Sequence, residues 1–131
     1  GEGKILPKTI QVLADQKVIA DQVVYADTYK LRRQGVLGRE KLEKNDGVLL
    51  VYSTKTRISL LYSIHMFGVP FNLTVAWLSK DRKILHLKLA KPGRMYFPPG
   101  FLTDTAYIIE LHPEHYDLLK RSAQIDWEEN G

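Results

Sequence analysis

Apolar and polar positions along this chain follow mainly the two-residue period of β-strands. Two short apolar runs, 10–12 and 18–25, lie on either side of Asp15-Gln16 and predict a hairpin. Apolar runs rich in β-branched and aromatic residues predict the remaining strands, over 47–52, 57–67, 72–78, 83–89, 105–111 and 123–127. Helical signals are limited to 27–37, a short piece at 39–43, and 113–121. This pattern predicts a mainly β, small single-domain β-sandwich or barrel, jelly-roll-like, with one or two short helices.

The segment Lys91 to Thr103 interrupts this pattern, because its prolines and glycines exclude long regular structure. Loops of more than ~12 residues are uncommon and often functional. The segment also carries Met95, Tyr96, Phe97 and Phe101. These side chains are expected either to close one end of a barrel or to form a lip that contacts a ligand or partner.

Composition narrows the protein class without selecting a function. The 131 residues carry a net charge of +4 and no cysteine, which excludes disulfides and thiolate chemistry. No apolar run is long enough for a membrane helix, and the small charge excess predicts no specific binding to nucleic acid. We expect one β-rich domain over residues 4–131, with 1–3 left by a cut leader or by cloning. The absence of cysteine fits both reducing and oxidising compartments, and export or anchoring through a removed N-terminal segment is one possibility.

His65 is the first candidate for a ligand-binding residue. It lies in the predicted strand 57–67, where a buried imidazole needs a hydrogen-bond partner and could also act as an acid or base. Met66 and Phe67 are candidates for an apolar wall beside it, with Tyr96 on the neighbouring loop. Arg39 is a candidate for the rim, where its guanidinium either binds an anionic group or pairs with Glu43 or Asp46.

Metal and catalytic signatures are weak in this sequence. His112 and His115, with Glu110 and Glu114 beside them, have ligand-like spacing, but histidines that flank Pro113 are also typical of a turn. No nucleophile elbow, P-loop or HExxH motif is present. We therefore assign no catalytic residue, no metal site and no cofactor.

Four strings in order resemble one known family. They are 35–39 (GVLGR), 46–52 (DGVLLVY), 63–67 (SIHMF) and 107–111 (YIIEL). Over about residues 26–127 they resemble domain-of-unknown-function family 192, also called uncharacterised protein family 0127. The resemblance implies a compact, mainly β domain, often exported, with no established activity. The chain departs from the family pattern at Asn72 and Thr74, where proline and aspartate are usual, and at Ser122, where a glycine is expected.

Three functions remain open from the sequence. The first is a non-enzymatic binding or accessory domain with a pocket near His65 and the 91–103 loop, whose partner is a small ligand or a protein. The second is an enzyme that uses His65 as acid or base. The third is a protein-interaction domain, which a flat aromatic patch in place of a pocket would favour.

Overall fold

The structure is a computed structural model that describes residues 6–53 and 55–130. These residues form nine strands, two α-helices and two 3-10 helices. The strands are β1 (Thr9–Ala14), β2 (Lys17–Ala26), β3 (Asp46–Val51), β4 (Ile64–His65), β5 (Leu73–Ser79), β6 (Ile84–Ala90), β7 (Met95–Tyr96), β8 (Thr105–Leu111) and β9 (Ile125–Glu129). The helices are α1 (Tyr29–Gln34), α2 (Tyr116–Arg121) and the 3-10 helices Ser59–Tyr62 and Pro113–His115. Residues 1–3, interpreted above as a leader or cloning remnant, lie outside the described residues.

Seven of the strands form one curled sheet, in the order β6-β5-β8-β3-β2-β1-β9. Its two edge strands approach each other, because Lys83 and Gln124 form a bridge and the backbone N–H of Ile84 donates to the carbonyl of Ala123 at 2.9 Å. The sheet therefore curls towards a barrel, and the predicted mainly β barrel-like fold with two short helices is confirmed. β4 and β7 form a separate two-stranded sheet.

The parallel pairing of β2 with β3 requires a crossover connection, and α1 lies in it. The side chain of Thr28 caps the helix by accepting from the backbone N–H of Leu31 at 3.2 Å. The helix ends at Gly35, which has a φ of 49°, a region that favours glycine. The helix predicted over 27–37 is therefore confirmed in a shorter form.

Two apolar cores lie on opposite faces of the sheet. The first core joins the sheet to the segments that cover it, and includes Val36, Val48, Tyr62, Met66, Val75 and Trp77. Strands from both ends of the sheet meet in the second core, which includes Val12, Val23, Leu78, Ile109 and Ile125. The second core therefore lies on the face that the curled sheet encloses. β3, β5 and β8 contribute to both cores, which explains why their sequences are apolar almost throughout.

The strand predicted over 57–67 is wrong. The segment instead forms the 3-10 helix Ser59–Tyr62 and the two-residue β4. Tyr62, Ile64 and Met66 of this segment are buried in the first core, whereas Leu60 and Leu61 are exposed. The Tyr62 hydroxyl donates to the carbonyl of Thr56 at 2.6 Å, and the Trp77 indole donates to the carbonyl of Tyr62 at 2.8 Å. Apolar composition alone did not distinguish a covering segment from a sheet strand.

The short helix predicted over 39–43 is wrong, whereas the loop predicted over 91–103 is confirmed apart from two residues. Residues 39–43 form no helix and have no regular structure apart from a bend at Glu40, and a turn at 44–45 then leads into β3. The segment 91–103 is a loop interrupted by β7, whose Tyr96 pairs with Ile64 of β4. By contrast, the turn at Asp15-Gln16 is confirmed, and both residues have positive φ, as a two-residue hairpin turn requires.

Candidate functional site

A cavity of about 620 Å³ opens between α1 with the turn after it, β3, and the covering segment 61–69. Its apolar walls include Val36, Leu50, Ile64, Met66 and Val69. Its polar lining includes Arg32, Arg33, Tyr52, Ser63, His65 and Glu110. A cleft in which apolar walls surround several convergent polar groups is typical of small-molecule sites.

Glu110 is a polar residue of this cavity that lies in a central strand of the sheet. It lies in β8, where it pairs with Val48 of β3 on one side and Val75 of β5 on the other. Both valines belong to the first core, so the Glu110 side chain enters the same apolar face. The residue is buried, and its Oε1 has no hydrogen-bond partner among the described residues. Such a group is costly to bury, and its presence requires an explanation.

Burial raises the pKa of Glu110 to about 7. Near neutrality the carboxyl therefore exists in both protonation states, so Oε1 can accept a hydrogen bond or the neutral group can donate one. Burial, reinforced by the nearby Glu110, also raises the pKa of Tyr52 to about 12. The Tyr52 hydroxyl consequently keeps its proton at any physiological pH.

The turn after α1 comes very close to this carboxyl. A Cβ added at Gly35 would lie 3.1 Å from Glu110 Oε1. That contact is tighter than normal packing, so the glycine leaves room for the carboxylate as well as ending the helix. The turn at Gly35 therefore forms the part of the cavity wall that lies next to the carboxyl.

Two arginines of α1 make one side of the cavity positive. The Arg32 guanidinium donates to the carbonyl of Val51 at 2.9 Å and lies 5.2 Å from the centroid of the Tyr52 ring. Arg32 is thus fixed against β3. Arg33 also lines the cavity, but its side chain is exposed. An acidic group of a ligand could reach Arg33 without displacing a protein contact.

The structure brings two of the sequence-predicted site residues into this cavity. Met66 is fully buried and forms part of the wall, while His65 lines the opening. His65 is exposed, so the expectation of a buried imidazole is corrected: β4 and β7 form a two-stranded sheet apart from the main sheet, and His65 lies on the exposed side of β4. Phe67 stacks on the His65 ring at 5.4 Å and is 53% exposed. Phe67 is not among the residues that line the cavity in the described part of the chain.

Arg39 and Tyr96 lie outside the cavity lining as the structure describes it. Arg39 Nη1 is 3.8 Å from Asp46 Oδ2, which is the pairing given above as its structural alternative. Tyr96 is half-buried against the first core, and its hydroxyl accepts from the backbone N–H of Lys91 at 2.9 Å. That hydrogen bond closes the loop onto itself and makes Tyr96 part of the packed structure.

His112 forms the turn contact that its position beside Pro113 indicated, whereas His115 is buried and contacts the segment that precedes β3. His112 Nδ1 accepts from the backbone N–H of Glu114 at 3.1 Å, and His115 Nε2 lies 2.8 Å from the carbonyl of Lys44. Within residues 6–53 and 55–130, no group of three or more potential ligands is placed to hold a metal ion.

Sequence reasoning missed Glu110 as a site residue and considered it only beside the histidines. A signal was present: Glu110 is the acid in the otherwise apolar run 107–111 (YIIEL) of a predicted strand. Alternation places it on the same face as Ile108, which is in the first core. Arg32 and Tyr52 gave no comparable signal, because only the crossover brings α1 beside β3.

Comparison with known proteins agrees with this architecture. The family model DUF192 (Uncharacterized ACR, COG1430) matches residues 10–123. A UPF0127 protein of Thermococcus sibiricus is 34% identical over 114 residues, covering 86% of this chain and 70% of the relative. A second relative, UPF0127 protein TK1120 of Thermococcus kodakarensis, is 34% identical over 89 residues. The match covers 68% of this chain and 52% of that relative. The chain belongs to the DUF192 family, as the four sequence strings indicated.

Two solved structures share the fold. A protein of unknown function from Novosphingobium aromaticivorans has a TM-score of 0.69 at 15% identity, covering 92% of this chain and 83% of that chain. A putative transcription regulator from Sinorhizobium meliloti has a TM-score of 0.73 at 18% identity and covers 98% of both chains. At these identities the likeness concerns the fold alone.

Proposed function

We propose that this domain binds a small organic molecule in the cavity beside α1, and that Glu110 holds the molecule's polar group. The observation that carries the proposal is the unpartnered Oε1 of Glu110, buried on an apolar face and lining the cavity. A buried polar atom without a partner costs roughly 1 to 3 kcal/mol, and a ligand that supplies the missing hydrogen bond recovers much of it.

The lining indicates the chemical class of the ligand. Glu110 suits a hydroxyl or amine, because its carboxyl accepts from both and pairs with an ammonium when ionised. Arg33 suits an acidic group, while Ile64, Met66 and Val69 suit a short apolar segment between them. We therefore infer a small hydroxy or amino acid-like molecule with a few methylenes between its two polar ends.

A matched series of five-carbon compounds tests this inference. The probes are δ-aminovalerate, δ-hydroxyvalerate, pentanol and pentanoate, added to isotope-labelled protein and followed by amide chemical shifts. We expect the two bifunctional compounds to bind more tightly than pentanol or pentanoate, with shifts centred on Gly35, Met66 and Glu110. Shifts spread over the surface, or no binding by any probe, would contradict the proposal.

Two substitutions then separate the polar contacts. Glu110→Gln should weaken the amine more than the hydroxyl compound, because an amide accepts a hydrogen bond but carries no negative charge. Arg33→Gln should weaken both bifunctional compounds and leave pentanol unchanged. Arg121→Gln is the matched control, since Arg121 is an exposed arginine in the last turn of α2 and does not line the cavity. Equal effects of Arg33→Gln and Arg121→Gln would remove Arg33 from the site.

A second candidate function is catalysis with Glu110 as general acid or base. The pKa of about 7 favours it, because a group that titrates near neutrality transfers protons in both directions efficiently. Prolonged incubation of a bound probe with the protein, followed by mass spectrometry, distinguishes the two functions. Turnover that Glu110→Gln abolishes supports catalysis, and an unchanged probe supports binding alone.

A further inference from the structure

Large apolar side chains project into solvent from a group of neighbouring covering segments. Six of them define what we call the apolar patch: Leu60, Leu61, Phe67, Met95, Phe97 and Phe101. Leu60 is 63% exposed and Phe101 is 76% exposed, so these side chains pack little against the protein itself. Contiguous exposed apolar surface is uncommon on soluble domains and usually marks a contact with a partner or a membrane.

Backbone hydrogen bonds hold the segments of the patch side by side. The N–H of Ser59 donates to the carbonyl of Phe101 at 2.9 Å, which places the 3-10 helix beside residues 101–103. The N–H of Met66 donates to the carbonyl of Arg94 at 2.7 Å, and His65 pairs with Met95. These hydrogen bonds satisfy backbone groups of the patch. They therefore lower the free-energy cost of moving the patch into an apolar medium.

Basic residues flank the patch at both of its ends. Lys91 and Arg94 lie beside Met95, and within residues 6–53 and 55–130 neither forms an ion pair. At the other end a shallow cleft is lined by Lys55, Arg57, Lys80, Asp81 and Asp104, with Arg57 Nη2 3.0 Å from Asp104 Oδ1. Five basic residues against two acids leave three net positive charges around the patch.

We propose that this protein docks on an anionic membrane surface through the apolar patch, with the flanking lysines and arginines at the level of the lipid headgroups. Phe and Leu side chains bordered by Lys and Arg are the composition of interfacial membrane binding. The patch side chains come from a 3-10 helix, from β7 and from the residues that follow β4 and β7, and a bilayer accepts such side chains without a matching pocket. The positive rim supplies the complementary charge for anionic headgroups.

Vesicle sedimentation of the full chain tests the proposal. We expect the protein to pellet with vesicles of equimolar phosphatidylcholine and phosphatidylglycerol, and to remain in solution with pure phosphatidylcholine. Higher salt should release it, because screening weakens the charge attraction. The double variants Leu60→Ser/Phe101→Ser and Lys91→Glu/Arg94→Glu should each reduce partitioning roughly tenfold or more.

Matched controls lie elsewhere on the surface. Leu6→Ser removes a leucine that is even more exposed than Leu60, and Lys120→Glu/Arg121→Glu reverses two charges in α2; both variants should sediment like the original protein. Because all the altered side chains are exposed, circular dichroism and thermal unfolding should be unchanged. Failure to pellet with anionic vesicles, equal pelleting with neutral ones, or pelleting that the patch variants do not reduce would overturn the proposal. So would concentration-dependent dimerisation that Phe101→Ser abolishes, which would assign the patch to a second copy of the chain.

Discussion

Replacing Glu110 by glutamine should remove a pH dependence from the stability of this protein. The carboxyl has a pKa of about 7 in the folded chain, against an ordinary value of 4.5, because burial disfavours its charged form. In the folded state Glu110 therefore keeps its proton at pH values where the unfolded chain has lost it. Stability falls with rising pH wherever the folded state binds more protons.

The magnitude follows from this difference. Each pKa unit corresponds to 1.36 kcal/mol, so a rise from 4.5 to about 7 corresponds to about 3 kcal/mol. The contribution is fully present below pH 4.5, falls as the pH rises through about 7, and is lost above that value. The groups around the carboxyl do not reverse the direction of this pH dependence. Tyr52 stays neutral over the whole range, and Arg32 is held by the Tyr52 ring and the Val51 carbonyl.

Urea unfolding at a series of pH values from 5 to 8 measures the effect in the original protein and in Glu110→Gln. Other groups titrate in this range, but they titrate in both proteins and cancel in the difference. Because the loss begins near pH 4.5, below the start of this series, we expect the stability of the original protein relative to the variant to fall by about 2 to 3 kcal/mol between pH 5 and pH 8. Asp126→Asn, an exposed carboxylate in β9, is the control and should give no such trend. Parallel curves for the original protein and Glu110→Gln would refute the reasoning.

Three further predictions follow from single contacts, each measured by urea unfolding with circular dichroism. Gly35→Ala should lower the free energy of unfolding by about 1 to 2 kcal/mol, because the residue has a φ of 49° and the new Cβ would lie 3.1 Å from Glu110 Oε1; a neutral effect would contradict the turn geometry. His65→Ala should change it by less than about 0.5 kcal/mol, whereas Tyr96→Ala should cost roughly 2 kcal/mol or more, because only Tyr96 packs on the core; the reverse order would contradict the placement of β4. Trp77→Phe should cost about 1 to 3 kcal/mol, because it strands the buried carbonyl of Tyr62; retention of full stability would exclude that hydrogen bond.

The sequence predicted the sheet far better than its coverings. Strands such as β5 and β8 could be predicted because both their faces are buried. The hairpin at Asp15-Gln16 could be predicted because a two-residue turn allows few backbone conformations. The segment 57–67 was assigned wrongly because Leu60 and Leu61 are apolar without being buried. A covering segment with exposed leucines has the composition of a strand, and only its contacts with the first core distinguish the two.

The cavity could be predicted in part from the sequence. Residues 63–67 were chosen because a histidine stood in an apolar run, and the structure does place His65 and Met66 beside the cavity. The residues on its other side, Arg32 and Tyr52, lie 20 positions apart, and only the parallel pairing of β2 with β3 brings them together. Such long-range pairings leave no local pattern in one sequence.

The departure from the family pattern at Thr74 bears directly on the proposed site. The family resemblance implies an aspartate at this position, and its absence raises the question of whether the cavity has lost an acid. Thr74, however, alternates with Leu73 and Val75 of the first core and therefore faces the second core, where Leu111 lies opposite it. Its hydroxyl donates to the carbonyl of His112 at 2.9 Å and needs no other partner. Glu110 and residue 74 thus lie on opposite faces of the sheet, and the change at Thr74 leaves the carboxyl of the cavity in place.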